Sequence, residues 1–382
     1  MAKYSTILNF LSSHISRYEF KKIVNTYNGD KGIRTVSTEH LFKTMLFAQI
    51  TKAFSLHEII KTLEANGTKL YHTGMSPVKK STVADALQKR DYRIFEDIFG
   101  VLLQKSQSLV SGKRRFRNPM RIIDASTIDL CLSRFNWAHF RKAKGAIKLH
   151  ASYDSDTMLP HELFLSTGNV HESQTLCRFS RNPKDILVFD RGYNSYNSFW
   201  NINLEGSTFV TRIKSNAVIE KHVILDYAHS ENVLEDCLCT FASKKGKKEY
   251  PGTIRIIEYR DPETEKVYRF VTNDVTRSAQ DIADIYKERW QIELFFKWIK
   301  QNLKIKTFFG TSKNAVWSQI WIAMILYLLL WIVKHLYAIQ ESMQRILQVL
   351  KTTLFDRCHI ESLFKPPPPK RIDSFPLFGG LL

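Results

Sequence analysis

The sequence has few of the features that define a secreted, disulfide-stabilised protein. Its 382 residues include only five cysteines, and only Cys237 and Cys239 lie close together. No Cys-x-x-Cys pair or second ligand pair accompanies them, which disfavours both a disulfide framework and a zinc site. The N-terminal segment lacks the apolar run and small-residue cleavage site of a signal peptide. These absences predict reduced thiols and a cytoplasmic location.

Acidic residues are also scarce in comparison with basic ones. The chain carries 56 Lys and Arg against 37 Asp and Glu, a formal net charge of +19. Such an excess favours a polyanionic partner, because basic side chains bind phosphates and release counterions. Nucleic acid is the first candidate, and an anionic membrane surface would fit the same charge. Since 44% of the residues are hydrophobic, the chain is globular and long enough for two or three domains.

Long apolar runs are limited to one segment, Val316 to Val333. Its length is at the lower limit for a helix that crosses a bilayer. Ser318 and Gln319 weaken its start, and no second segment of this kind accompanies it. We therefore predict a helix buried inside a large domain and no membrane partner, with a membrane anchor as the alternative.

Residues 1–92 predict an all-helical N-terminal DNA-binding domain. Helices are expected near 37–51, over 55–66 after a capping box, and from a cap at Thr82 onward. Short helices with basic turns suit a module of helix-turn-helix character. A structural helical cap that never enters a groove has the same pattern. Residues 93–119 are predicted as a linker helix followed by a basic segment.

From residue 120 the pattern changes to short β-rich runs bounded by Gly, Pro, Asn and Asp, which predict strands. The runs lie at 121–132, 145–154, 159–170, 185–193 and 207–214, followed by a hairpin-like pair at 254–260 and 266–273. Strands followed by helices indicate an α/β (α+β) fold, a mixed sheet flanked by helices. The predicted divisions are a first part of the core at 120–214, a β-rich insertion at 215–275, C-terminal core helices at 276–358 and a Pro-rich flexible tail at 359–382.

Three acidic residues are candidates for one site. Asp124 follows an apolar run and Asp190 follows another, so each is predicted at the carboxyl end of a buried strand. An Asp in such a place can also be only a turn former or a helix cap. Together with Glu293, however, the two would supply the oxygen ligands that Mg²⁺ prefers. Paired metal ions of this kind promote in-line phosphoryl displacement by water or by a 3′ hydroxyl.

The segment 284–310 is predicted as one amphipathic helix. At 100° per residue, Tyr286, Arg289, Glu293 and Lys300 fall within about 60° of one another. An acid, two cations and a phenol on one stripe suit a surface that holds a metal ion and phosphates together. An ordinary solvated helix face with Glu and Lys pairs is the alternative.

These four residues match the signature Tyr-x2-Arg-x3-Glu-x6-Lys, and with it the chain resembles bacterial insertion-sequence transposases of the DDE type, the group called the IS-four family. "IDAST" at 123–127 and "DRGY" at 190–193 resemble the family's blocks around its first and second Asp. The long β-rich segment before Glu293 resembles the insertion of this group. The similarity extends from about residue 120 to 340.

The resemblance implies an RNase H-like fold in which Asp124, Asp190 and Glu293 bind two divalent ions, Mg²⁺ or Mn²⁺. It also implies that Tyr286, Arg289 and Lys300 contact the DNA. The implied activity is that of a transposase that binds the terminal inverted repeats of its element, cleaves there and joins the 3′ ends to target DNA, in cut-and-paste fashion. The implied partner is double-stranded DNA, which would make the protein nucleoid-associated, and the implied assembly is a synaptic homodimer.

Other residues are candidates with open roles. Arg141 and Lys148 belong to a segment that interleaves basic and aromatic residues, a composition suited to DNA binding. Arg191, beside Asp190, is either a phosphate contact or a partner of the acids. His150 and His171 are predicted in strands near the active edge, as structural histidines or as proton carriers. Two alternatives for the whole protein are a nuclease of the same fold without strand transfer and a catalytically silent, transposase-derived DNA-binding protein.

Overall fold

The computed structural model of the protein describes residues 5–110, 118–141, 144–225 and 231–364. The predicted basic segment before residue 118 and the predicted tail beyond residue 364 lie outside these ranges, as does the side chain of Arg141.

The described strands form one ten-stranded mixed sheet, which agrees with the predicted fold class. The strands are β1 (Met120–Leu130), β2 (His139–Arg141), β3 (Lys144–Asp154), β4 (Leu159–Thr167), β5 (Ile186–Phe189), β6 (Thr208–Arg212), β7 (Ile219–Ile224), β8 (Val233–Phe241), β9 (Ile254–Arg260) and β10 (Val267–Thr272).

The sheet has a central parallel part between two antiparallel parts. Its order is β2-β3-β1-β5-β6-β10-β9-β8-β7, and β4 also pairs with β3. Strands β5 and β6 run parallel to β1, whereas β3 and β4 alternate in direction on the other side. Strands β7 to β10 continue the sheet beyond β6. The segment predicted as a β-rich insertion therefore widens the same sheet.

Strand β5 illustrates why these residues form a buried central strand. Its four residues are all apolar and fully buried, as expected for a strand covered on both faces. Side chains alternate between the faces, so Ile186 and Val188 join one apolar cluster while Leu187 and Phe189 join the other. The first cluster includes most of the helices, and the second includes the helix Tyr196–Leu204.

Helices cover both faces of the sheet. Those described are α1 (Ile7–Ser12), α2 (Arg17–Thr26), α3 (Thr38–Thr51), α4 (Leu56–Ala65), α5 (Gly67–Leu70), α6 (Lys80–Lys89), α7 (Arg93–Ser108), α8 (Tyr196–Leu204), α9 (Lys244–Glu249), α10 (Ala279–Lys287), α11 (Trp290–Asn302), α12 (Lys313–Leu336) and α13 (Met343–Thr353).

Helix α12 is the central helix of the protein. Every residue from Ala315 to Val333 is buried, in contact with α3, α6, α7 and α13. Its length and apolar composition alone would allow it to cross a membrane, yet the whole apolar window is buried inside the protein. Burial of one Leu or Ile side chain stabilises by roughly 1.5–3 kcal/mol. Exposure of this many such residues would cost more than the usual stability of a domain.

The N-terminal helices share their core with α12. Two buried glutamines, Gln49 of α3 and Gln319 of α12, both donate to the carbonyl of Lys304, at 3.2 and 3.0 Å. The predicted helices near 37–51 and 55–66 are present as α3 and α4. The third predicted helix is present as α6, which begins at Lys80, so that Thr82 lies inside its first turn and does not cap it. An independent DNA-binding role for residues 1–92 stays a prediction.

Candidate active site

Strand register brings the first two acids together. Ile123 of β1 pairs in parallel with Phe189 of β5, so the next residues, Asp124 and Asp190, leave the pairing side by side. The prediction that Asp124 ends its strand is wrong. Strand β1 continues to Leu130 because β3 pairs with it along this whole length. Strand β5, in contrast, ends at Phe189, so its pairing with β1 stops before Asp124.

The third acid comes from a helix that is broken. The predicted single helix is wrong, since α10 ends at Lys287 and α11 begins at Trp290. At the break the amide of Arg289 donates to the carbonyl of Tyr286, at 3.0 Å, a tighter bond than the helical i to i−4 bond. Glu293 lies in the first turn of α11. The break leaves Arg289 at the junction, where it faces the acids.

Two arginines offset part of the negative charge of the three acids. A terminal nitrogen of Arg289 lies 2.5 Å from Oε1 of Glu293, and the other lies 3.9 Å from Oδ2 of Asp124. Nη2 of Arg212 donates to Oδ1 of Asp190 at 2.9 Å. The Nε atoms of both arginines are buried without a hydrogen-bond partner among the described residues. Each arginine therefore has a donor to spare for another anion.

The two aspartates differ in pKa. Burial raises the pKa of Asp124 to about 6, with smaller raising effects from the charges of Glu172 and Asp190 and opposing effects from the amide of Ala125 and the charge of Arg289. Burial also raises the pKa of Asp190, but the hydrogen bond and the charge of Arg212 outweigh it, so this pKa is lowered. Asp124 is thus the acid most in need of an added positive charge.

Lys300 lies in the same cleft as two of the acids. Asp124 and Glu293 line a cleft of about 470 Å³ together with Lys297, Lys300 and Lys306. Burial and the charge of Lys306 lower the pKa of Lys300, while Asp124 opposes this effect. The cleft thus joins carboxylates to a group of cations, a charge pattern suited to a phosphate chain beside a metal site.

Tyr286 lies between the two arginines. Their guanidinium carbons are each 5.8 Å from the centre of its ring, and its hydroxyl donates to Oδ1 of Asp190 at 3.4 Å. Behind it is a cavity of about 330 Å³ walled by aromatic rings, among them Tyr268 and Trp290. Trp290 is 55% exposed, although its type is usually buried. The cavity offers ring faces next to the acids.

The other three predicted DNA-binding residues have different surroundings. Arg191 is exposed and lines a second cleft with Arg212, Lys266 and Arg269. Lys148 is buried, and its ammonium donates to Glu172 at 3.2 Å and to the carbonyl of Val170 at 3.1 Å. Arg141 ends β2. DNA contact stays a prediction for all three.

The two histidines have structural surroundings. His150 is fully buried in β3, hydrogen-bonded to Ser166 at 2.8 Å and stacked on Phe164. Burial lowers its pKa to about 3, so it stays neutral. The prediction that His171 lies in a strand is wrong. His171 caps the short 3₁₀ turn Glu172–Gln174. The chain leaves β4 at Thr167, so residue 171 falls after the strand.

Arg212 escaped the sequence reasoning. Phe189 of β5 pairs in parallel with Thr211 of β6, so Arg212 follows the pairing as Asp190 does. The rule that located the two aspartates, the first polar residue after a buried apolar run, gives Thr211 in this strand and misses Arg212 by one residue. Glu172 and Tyr193 also reach the site, from turns that carry no such signal.

Comparison with known families gives an identification. Residues 115–329, more than half of the chain, match the family described as a transposase DDE domain. The chain belongs to the DDE transposase family. The predicted recognition as an insertion-sequence DDE transposase is thereby confirmed, while its placement in the IS-four group stays a prediction. A second family, described as a domain of unknown function, matches residues 3–76 of this transposase.

Curated relatives agree with this assignment. One is named as a probable transposase for insertion sequence element IS5377 of Geobacillus stearothermophilus, 28% identical over 86% of this chain and 85% of its own. Another, named as transposase y4zB of Sinorhizobium fredii, is 32% identical over 79% of this chain and 85% of its own. The protein is therefore a DNA transposase and an enzyme of the DDE type.

A solved structure confirms the RNase H-like DDE fold of this transposase. The piggyBac transposase in a synaptic complex with hairpin DNA, determined by cryo-electron microscopy, superimposes with a TM-score of 0.52 at 13% identity. The match covers 97% of this chain and 84% of the other. At this identity the likeness concerns the fold alone.

DDE transposase domains generally use divalent metal ions, and the donor set here fits such ions. Carboxylate oxygens are the ligands that Mg²⁺ and Mn²⁺ prefer. Within the described ranges, no three Asp, Glu, His or Cys side chains are close enough to hold one ion as they stand. Arg289 explains this, because its guanidinium contacts both Asp124 and Glu293. A cation would take over the charge that Arg289 now supplies.

Proposed function

We propose that this transposase binds the terminal inverted repeats of an insertion sequence, cleaves the ends and transfers the 3′ ends to target DNA in cut-and-paste fashion. The observation that carries the proposal is the meeting of Asp124, Asp190 and Glu293, from β1, β5 and α11, at one charge-compensated centre. The partner is double-stranded DNA, and the synaptic assembly is a homodimer. The protein is cytoplasmic and nucleoid-associated, without a membrane partner.

The three acids would hold two Mg²⁺ or Mn²⁺ ions. When bound, such ions activate a water or a 3′ hydroxyl and stabilise the leaving oxygen of an in-line displacement. The acids must be ionised for this purpose, and the added positive charge lowers the pKa of Asp124 from its raised value. Arg289 and Arg212 then become available to the phosphates of the DNA end, which they can grip with paired hydrogen bonds.

The positions of the basic side chains around the centre support a path for the DNA backbone through two clefts. Lys297, Lys300 and Lys306 line the cleft on the Glu293 side, and Lys266 with Arg269 lines the cleft that contains Arg191. Contacts of this kind position the backbone without reading its sequence. The aromatic cavity behind Tyr286 suits an unstacked base at the transposon end, since ring faces accept any base by stacking.

The test is cleavage and joining by the Glu293→Gln variant. The substitution keeps the shape of the side chain but removes a charged metal ligand. We expect cleavage of repeat-end DNA to fall by orders of magnitude while affinity in a gel-shift assay persists. Glu263→Gln is the matched control, because Glu263 pairs with Lys287 near the same helices but is 76% exposed and away from the acids. Unchanged cleavage in Glu293→Gln would refute the catalytic assignment.

Strand transfer needs its own assay. A pre-cut end with a free 3′ hydroxyl should be joined to target DNA by the wild-type protein and not by Glu293→Gln. Hydrolysis without joining would instead indicate a nuclease of the same fold. Absence of both cleavage and joining in the wild-type protein, with binding to repeat-end DNA retained, would leave only a DNA-binding protein.

A further inference from the structure

A fourth carboxylate lies beside the active site. Glu172 begins a 3₁₀ turn after β4, and this turn lies against the 3₁₀ turn Arg191–Tyr193 that follows Asp190. A Cβ added to Gly192 would stand 2.8 Å from Oε2 of Glu172 and 4.0 Å from Oδ2 of Asp190. The two acid oxygens thus lie within 4.0 Å of one point. A side chain at position 192 would force Oε2 of Glu172 to shift.

Glu172 is held in place through its other oxygen. Oε1 accepts from the ammonium of Lys148 at 3.2 Å, and the same ammonium donates to the carbonyl of Val170 at 3.1 Å. The side chain of Lys148 is only 9% exposed, so its position is fixed by its surroundings. A carboxylate anchored at one oxygen presents the second oxygen in a constant direction, here toward Asp190.

Tyr193 provides an independent sign that something binds at this point. Its side chain is fully buried, and its hydroxyl has no hydrogen-bond partner among the described residues. The carboxylates that act on it electrostatically are Asp124, Glu172 and Asp190. An unsatisfied buried hydroxyl costs about 1–3 kcal/mol. A ligand oxygen held between these acids would satisfy it.

We propose that Glu172 is a fourth acidic ligand of the active site, which binds through Oε2 to the divalent cation held by Asp190. Tyr193 donates its hydroxyl hydrogen to an oxygen bound to that cation. This inference rests on the proposed function, since it adds ligands to the same site.

The experiment measures Mn²⁺ binding to the full-length, metal-free protein without DNA, by calorimetry and by electron paramagnetic resonance. Glu172→Gln should weaken the affinity of one Mn²⁺ by about tenfold, the scale of lost supporting ligands. Gly192→Ala should weaken it similarly, because the added methyl group displaces Oε2. Glu205→Gln is the matched control, since Glu205 also pairs with a largely buried cation, Arg181, but stands away from the acids. It should bind Mn²⁺ as the wild type does.

A double variant controls for a loss of stability in Glu172→Gln. Glu172→Gln leaves a buried ammonium without its counter-ion, which can destabilise the fold. The double variant Lys148→Met/Glu172→Gln removes both charges and keeps the net charge of the protein. It should still show the tenfold loss of Mn²⁺ affinity. Wild-type affinity in the double variant would overturn the proposal.

Tyr193→Phe separates a ligand-binding role from a structural one. The hydroxyl has no partner to lose among the described residues, so the melting temperature should stay level or rise. Mn²⁺ affinity should nevertheless fall by a few-fold. A lower melting temperature with unchanged Mn²⁺ affinity would mean that the hydroxyl serves the fold, against the proposal.

The outcomes distinguish this inference from the proposed function. Loss of Mn²⁺ binding in Asp190→Asn but not in Glu172→Gln would refute the fourth ligand and leave the transposase mechanism intact. Absence of Mn²⁺ binding in the wild-type protein, both with and without repeat-end DNA, would refute the metal mechanism and the fourth ligand together.

Discussion

The β1 side and the β5 side of the active site contain the same residue in equivalent places, yet the two sides differ in charge balance. Asp124 and Asp190 are neighbours in register, and burial acts on both. Asp190 has Arg212 at 2.9 Å, whereas the nearest guanidinium nitrogen to Asp124 that forms an ion pair lies at 3.9 Å. Strand β6 supplies Arg212, which gives Asp190 a close positive charge in the absence of metal. Asp124 has no ion-pair partner as close.

This difference has opposite consequences for the stability of the metal-free protein. The folded-state pKa of Asp124 is raised from 3.8 to about 6, so its charging disfavours the folded state as the pH rises through this range. The folded-state pKa of Asp190 is lowered, so its ion pair contributes stability above pH 4 and loses it as the pH falls. Substitutions at and around the two aspartates can test this difference in charge balance.

Substitution of either aspartate by asparagine should abolish catalysis on both sides alike. We expect cleavage of repeat-end DNA to fall at least about a thousandfold in Asp124→Asn and in Asp190→Asn, because each removes a charged metal ligand. The measurement is single-turnover cleavage with Mg²⁺. If one variant retained substantial activity, the two sides would differ in chemistry as well as in charge.

The same two variants should differ in stability, and the larger change is expected at Asp124. Without metal at pH 7, Asp124→Asn should increase the free energy of unfolding by up to about 3 kcal/mol, the value of a shift of two pH units. The increase should shrink to less than about 1 kcal/mol at pH 4 and disappear near about pH 2, where Asp124 is protonated in both states. Urea denaturation in EDTA at pH 4 and pH 7 measures this, with Asp129→Asn, an exposed acid of the same strand, as control. A stability loss at pH 7 would contradict the raised pKa.

Asp190→Asn should act in the opposite direction and more weakly. Its ion pair with Arg212 is about one third exposed on both partners, so solvent screening limits its contribution. We expect a loss of about 1 kcal/mol in the free energy of unfolding at pH 7 that persists largely at pH 4 and vanishes near about pH 2, measured by the same denaturation series extended to that pH. The double variant with Arg212→Met should recover part of the loss. No difference between the most acidic point and pH 7 would show that Arg212 does not stabilise the folded state through Asp190.

The smallest effect concerns the cationic cleft on the Asp124 side. Lys300→Ala should reduce the slope of log affinity against log salt concentration by about 0.9, the amount for one phosphate contact. Filter binding of repeat-end DNA at several salt concentrations gives the slope. Lys351→Ala, an exposed lysine on α13, should leave it unchanged. Equal slopes in all three proteins would place the DNA elsewhere.

Local patterns in the sequence were sufficient for most of the strands, though not for β2, β7 and β8, and for the order of the acids. Apolar runs predicted β1, β5 and the β9–β10 hairpin, and strand ends pointed to Asp190. Periodicity did not reveal the break at Arg289, because a tight turn between helices hardly changes the angular spacing of side chains. The stripe was nevertheless a useful guide, since Tyr286, Arg289 and Glu293 do meet at the site.

The partners of the acids were beyond local patterns. Arg212 reaches Asp190 only because β6 adds to the sheet next to β5, a neighbourhood formed by residues 22 positions apart. Glu172 reaches the site through the contact of two 3₁₀ turns, and Gly192 leaves room there for Oε2 of Glu172. Such contacts follow from chain topology, and no single segment encodes them.

The position of α12 has a consequence for synthesis of the protein. Helices α3, α6 and α7 complete their core against this helix, which ends near residue 336. On the ribosome, the N-terminal third must therefore wait, with part of its apolar surface uncovered, until almost the whole polypeptide has emerged. A product that is truncated by a premature stop before Ser312 cannot complete that core. It would be removed by proteolysis and would not persist as a folded competitor for the repeat ends.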